Sequence, residues 1–179
     1  MRSRYGRVLV TACGAMAATA MVCAAGQRVG GGVEYDIVTG DDADNGAGVY
    51  AMFEFDVSPN AAIQIEASYV GGSYSTDAGS DDYRLAGIGA ALILSRTYDT
   101  WSPYIGAGAA DNFNDFGKVD YGDHLSIFWL AGSRLFLNDA TSVDLSIRYR
   151  GLKPASVDPT IGEIDLNAFV LRAGVVFEL

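Results

Sequence analysis

The chain has little with which to do redox or metal chemistry. It has one His and two Cys, and both cysteines, Cys13 and Cys23, fall within the first 25 residues. A disulfide framework and most zinc sites are thereby excluded. Pro is scarce, at 4 residues, which argues against a Pro-rich linker. Basic residues are outnumbered: 12 Lys and Arg stand against 22 Asp and Glu, for a formal charge of −10. No nucleic-acid partner is expected, because phosphate binding needs a basic surface. Beyond residue 25 no apolar run approaches the length of a spanning helix. What is present is a 179-residue chain, half apolar, 19% charged and rich in Gly. That length suits one domain.

The first 25 residues read differently from the rest. Arg2, Arg4 and Arg7 make a basic start, residues 8–25 are uncharged and Ala-rich, and small residues precede Gly26. This is the three-part pattern of a secretory signal peptide, with cleavage expected between Ala25 and Gly26. An uncleaved membrane anchor and a lipid attached at Cys13 are the alternatives. Cleavage removes three Arg and both cysteines, so the remaining chain, 26–179, is more acidic still and free of thiols. It forms the single expected domain.

From residue 28 onward the recurring signal is alternation with period two, the mark of strands whose two faces differ. Val143, Leu145, Ile147 and Tyr149 share one face; Asp144, Ser146 and Arg148 share the other. Phe169, Leu171, Ala173, Val175, Phe177 and Leu179 oppose Arg172 and Glu178 in the same way. Eight such segments are predicted, at 28–39, 47–57, 61–74, 83–97, 101–111, 123–137, 141–152 and 164–179. Short connections at 58–60, 98–100 and 138–140 alternate with long ones near 40–46, 75–82, 112–122 and 153–163. That rhythm fits an up-and-down meander with one confined end.

Which face points inward decides between a soluble barrel and a membrane one. The polar faces collect the acids Glu34, Asp36, Glu54, Asp56, Glu66, Asp144 and Glu178, and the bases Arg28, Arg134, Arg148, Arg150 and Arg172. Arg84 and Arg96 join them if their strand keeps the parity of its charges. The near-balance points to a lumen of ion pairs, with excess acid in the long loops: Asp41, Asp42, Asp44, Asp77, Asp81, Asp82, Asp111, Asp115, Asp120, Asp123, Asp158 and Glu163. Tyr35, Tyr69 and Tyr149 stand at the long-loop ends of the apolar faces, and Phe55, Tyr98, Trp101 and Phe177 at the short-turn ends. Two aromatic girdles are expected where a barrel meets both bilayer interfaces. The expected fold is therefore all-β: an eight-stranded antiparallel up-and-down transmembrane β-barrel, too narrow and too full for an open pore.

Particular strands carry a family resemblance. Pro103-Tyr104-Ile105-Gly106-Ala107-Gly108-Ala109 resembles the "PY-(I/L)-GAG" strand of the small OmpA/OmpX-type outer-membrane barrels, and Val143-Asp144-Leu145-Ser146-Ile147-Arg148-Tyr149-Arg150 is similar to that family's "LDLGYRY" strand. The final strand resembles the family's C-terminal assembly signal through Val175, Phe177 and Leu179, although the family usually ends in Phe or Trp. The resemblance implies a Gram-negative-type outer membrane, lipid and lipopolysaccharide as surroundings, and the barrel assembly machinery as a partner during biogenesis. It leaves the biochemical role open.

Chemical motifs are few. His124 and Ser126 resemble the His-x-Ser pair of outer-membrane lipid A deacylases, but no acid follows at a position to orient the His, as a triad requires. The loop acids Asp41, Asp42 and Asp44 miss an EF-hand at Ala43 and Met52. Gly87-Ile88-Gly89 and Gly106-Ala107-Gly108 lack the third Gly and the helix of a dinucleotide site. No catalytic residue, cofactor or metal is expected. The favoured role is structural or surface-interacting and non-enzymatic. A lipid A-modifying hydrolase using His124 and Ser126 and a soluble periplasmic ligand-binding barrel are the rivals.

Overall fold

The computed structural model describes residues 26–40, 43–76, 79–115, 124–152 and 165–179. The expected leader, up to Ala25, lies outside them, as do the loop acids Asp41, Asp42, Asp77, Asp120, Asp123, Asp158 and Glu163. Eight strands follow in chain order: β1 Gln27–Val38, β2 Gly46–Ser58, β3 Ala61–Thr76, β4 Gly79–Ser95, β5 Trp101–Asp115, β6 His124–Asn138, β7 Thr141–Gly151 and β8 Ala168–Glu178. Each pairs antiparallel with the next, and β8 returns to pair with β1, so the sheet is a closed barrel. Closure leaves no strand edge, which is what a sheet in hydrocarbon needs.

The alternation of apolar and polar residues becomes an outside and an inside. Val33, Ile127 and Trp129 are exposed by 61%, 61% and 65%, whereas Asp36 and Glu54 are fully buried. A water-soluble carrier would turn these rows the other way, with greasy side chains meeting around the ligand. The soluble periplasmic alternative therefore fails on the direction of the side chains.

The three short connections and both described chain ends share one end of the barrel. Two of the hairpins, β2–β3 and β6–β7, carry a register shift just before the turn, at Asp56/Ser58 and Phe136/Asn138. In the second, Asn138 Oδ1 accepts the Ala140 N–H at 2.9 Å, an Asx-type closure.

Four details depart from the sequence reading. First, the connection expected at 75–82 is mostly strand: the β3–β4 ladder runs out to Thr76 opposite Gly79. The polar stretch hid this, because the hairpin is anchored by buried Tyr74 and Tyr83 packed on Leu85 rather than by alternation. Second, β5 continues to Asp115, so Asp111 stands in a strand. Third, Phe55 keeps its outward parity but is buried, its ring 6.4 Å from that of Phe53. Fourth, β4 turns its odd-numbered residues inward, among them Tyr83, Leu85, Ala91 and Ile93, so Arg84 and Arg96 are exposed on the outer wall. A strand that is apolar on both faces gives parity nothing to hold.

Candidate functional site

Among the described residues the interior is built from twelve ionic side chains, seven acids and five arginines, stacked at four levels. At the short-turn end Arg28 of β1 meets Asp56 at 2.7 Å, Glu178 at 2.9 Å and also Glu54. One level deeper, Arg134 of β6 reaches across the lumen to Glu54 of β2 with two parallel bonds, Nη1 to Oε1 at 2.7 Å and Nη2 to Oε2 at 2.6 Å. Its Nε donates to Asp144 at 3.2 Å, and Asp144 also accepts the Tyr104 hydroxyl at 2.9 Å. At mid-height Arg172 of β8 donates from Nε to Glu34 at 2.7 Å and from Nη1 to Glu66 at 3.0 Å. Glu66 of β3 also takes Arg148 of β7 and the Gln64 amide. Towards the far end Arg150 pairs with Asp36 at 2.6 Å. The two acids in excess belong to the short-turn end, where Asp56 and Glu178 reach water.

Three of these arginines share a construction that sequence reasoning missed. Each guanidinium lies over an aromatic ring, and each ring fills a slot left by a glycine. Arg134 lies 5.1 Å from the Tyr104 ring centre, Arg148 3.8 Å from that of Phe128, and Arg172 4.5 Å from that of Tyr50. A Cβ on Gly132 would stand 2.6 Å from the Tyr104 ring, one on Gly108 2.6 Å from Phe128, and one on Gly174 2.5 Å from the Tyr50 hydroxyl. Tyr104 is the cross-strand partner of Gly132, and Phe128 that of Gly108. Tyr50 reaches Gly174 over Gly32, which is opposite both. Cation–π attraction thus adds to the ion pair, and the ring fixes the fork of the arginine. The signal in the sequence was an inward Gly facing an inward aromatic on the neighbouring strand. It becomes visible only once the register is known.

A Gly132→Ala substitution tests the slot. The added methyl would also stand 2.7 Å from the Leu145 carbonyl oxygen, a backbone atom with no freedom to yield. Overpacking of this kind costs about 1–3 kcal/mol. We expect a lower urea midpoint for refolded Gly132→Ala in lipid vesicles, with the Tyr104–Asp144 contact weakened.

A cavity of about 10 Å³ among Tyr50, Gln64, Tyr104, Asp144, Arg148 and Arg172 is the room of a single water. His124 and Ser126 occupy the other end of β6. Ser126 is buried on the inner face, where its hydroxyl accepts the Asn112 amide at 2.8 Å and donates to the Ala110 carbonyl at 3.4 Å. The same amide donates to the His124 carbonyl at 3.0 Å. Asn112, unremarked in the sequence, ties β5 to β6 here. Among the described residues no group of His, Cys, Asp and Glu is arranged to hold a metal. At the end of β8, Val175, Phe177 and Leu179 are exposed on the outer wall.

An eight-stranded cylinder, apolar without and ionic within, is a transmembrane β-barrel. The chain belongs to the outer membrane protein beta-barrel domain family, whose model matches residues 8–177, and it is a protein of the bacterial outer membrane. No curated protein matches it in sequence. Among solved structures it is similar to OprG from Pseudomonas aeruginosa, with 13% identity and a TM-score of 0.72 over 87% of this chain and 96% of that one. It is also similar to Neisserial surface protein A, with 15% identity and a TM-score of 0.69 over 86% of this chain and 97% of that one. A third is Ail, the attachment invasion locus protein of Yersinia pestis, at 13% identity and a TM-score of 0.55 over 86% and 98%. At such identities the likeness establishes the fold alone.

Proposed function

We propose that the protein is a non-enzymatic element of the outer membrane: a barrel closed to solutes that presents its acidic outer connections to the surroundings, in a structural or surface-interacting role. One observation carries this reading. Arg134–Glu54 at one level, and Arg172–Glu66 with Arg148–Glu66 at the next, link facing walls across the lumen. Asp44 and Asp82 stand at the outer end. Residues 1–25 act as the export leader, and the barrel assembly machinery recognises the final strand through Val175, Phe177 and Leu179.

The hydrolase alternative needs a serine hydroxyl at the lipid face. Ser126 is held inside instead, and the outward residues on either side of it are Leu125 and Ile127. The test has two arms. In proteoliposome swelling, the reconstituted protein is expected to admit neutral sugars no faster than protein-free vesicles; sugar-size-dependent swelling would defeat the closed lumen. In lipid A mass spectra from cells with and without the protein, the acylation pattern is expected to be unchanged. Loss of an acyl chain, abolished by Ser126→Ala, would establish the enzyme.

A further inference from the structure

Among the described residues two arginines turn away from the lumen, Arg84 at the long-connection end of β4 and Arg96 just past its short-turn end, which in barrels of this class is the periplasmic one. Arg96 is exposed and makes no ion pair with any described residue. Its guanidinium lies 5.5 Å from the ring of Tyr98. Tyr98 in turn stacks on Trp101, with ring centres 5.3 Å apart and planes 17° from parallel. The hairpin builds this stack, since the Tyr98 N–H donates to the Trp101 carbonyl at 2.9 Å. A tyrosine–tryptophan pair of this kind marks the level of the lipid headgroups. Beside it the outer wall carries a shallow, open groove of about 430 Å³ along Leu94, Pro103 and Ile105, with Asn60 and Arg96 at its rim.

We propose that this groove is a binding site for an anionic phospholipid of the inner leaflet, an acyl chain lying along Leu94, Pro103 and Ile105 and the headgroup phosphate meeting Arg96. The apolar floor opens directly on the bilayer, so the occupant is a lipid and needs no route of entry. The charge supplies the selectivity. The chain as a whole carries −10 and repels anionic lipid, so a preference for it must come from a local cation with free donors. The guanidinium fork suits a phosphate, with two donors for two oxygens. Asp99, in the same turn, opposes the effect but makes no described contact with Arg96.

The chain has two tryptophans, Trp101 and Trp129, so a Trp129→Phe background leaves Trp101 as the reporter beside the groove. This variant is refolded into phosphatidylcholine vesicles containing a small fraction of brominated phosphatidylglycerol or, separately, brominated phosphatidylcholine. Quenching of Trp101 is expected to show a preference for phosphatidylglycerol on the order of five-fold, the increment of one arginine at a membrane surface. Arg96→Gln is expected to abolish the preference, while Arg96→Lys keeps part of it and Arg84→Gln all of it. Gel mobility without boiling confirms that each variant is folded. Equal quenching by the two lipids, or a preference that survives Arg96→Gln, would overturn the proposal.

Discussion

Replacing Glu54 by Ala is expected to remove about 3–5 kcal/mol from the stability of the barrel, the range for breaking a buried ion pair from one side. Glu54 has no exposed surface and holds both oxygens against Arg134, while also meeting Arg28. Its loss leaves the Arg134 guanidinium, on a side chain only 6% exposed, with Asp144 as its one described ion-pair partner, at 3.2 Å. The variant Glu178→Ala serves as the comparison. Glu178 pairs with the same Arg28, but its side chain is 38% exposed, so its removal should cost no more than about 1 kcal/mol. Urea unfolding of both variants in lipid vesicles, read from the heat-dependent gel shift or tryptophan emission, measures the contrast. Equal midpoints for the two would mean that the interior charges are hydrated and do not act as a dry network.

Arg172→Met should be damaging to a similar extent for the complementary reason. Glu66 keeps Arg148, but Arg172 is the only described ion-pair partner of Glu34, which is left as an uncompensated buried carboxylate. The expected loss is again about 3–5 kcal/mol. Here the decisive variant is the double one. Glu34→Gln in the Arg172→Met background removes the orphaned charge, so it should restore stability, giving a coupling of about 2–3 kcal/mol in a double-mutant cycle. A double variant no better than Arg172→Met alone would assign the damage to lost packing of the arginine on Tyr50.

Strand number and closure direction were legible because period-two alternation is a local property, and it survives without knowledge of partners. Glu34, Glu54, Asp144 and Arg172 could be placed on inner faces by counting residues. Which arginine meets which acid could not, since Arg134 and Glu54 are separated by 80 positions and meet across the lumen. Alternation also fails where both faces are apolar, as in β4, and this hid the outward direction of Arg84 and Arg96. It was silent again at the β3–β4 hairpin, where two tyrosines substitute for a pattern. The glycines were readable as a sign of close packing but not as seats for particular rings, because a seat is a property of two strands in register.

The seam between β1 and β8 joins the two ends of the chain, and its charges act as a key. Arg28 faces Glu178 and Glu34 faces Arg172, with Gly32 opposite Gly174 between them. Sliding one strand by two residues would seat Arg172 opposite Gly32 or Asp36 and leave Glu34 against Val170 or Gly174. Sliding by one would turn Arg172 into the hydrocarbon. Only one alignment of first strand on last satisfies both pairs, so the final zipping of the cylinder proofreads itself, and a ribbon that closes wrongly keeps a penalty that drives it open again.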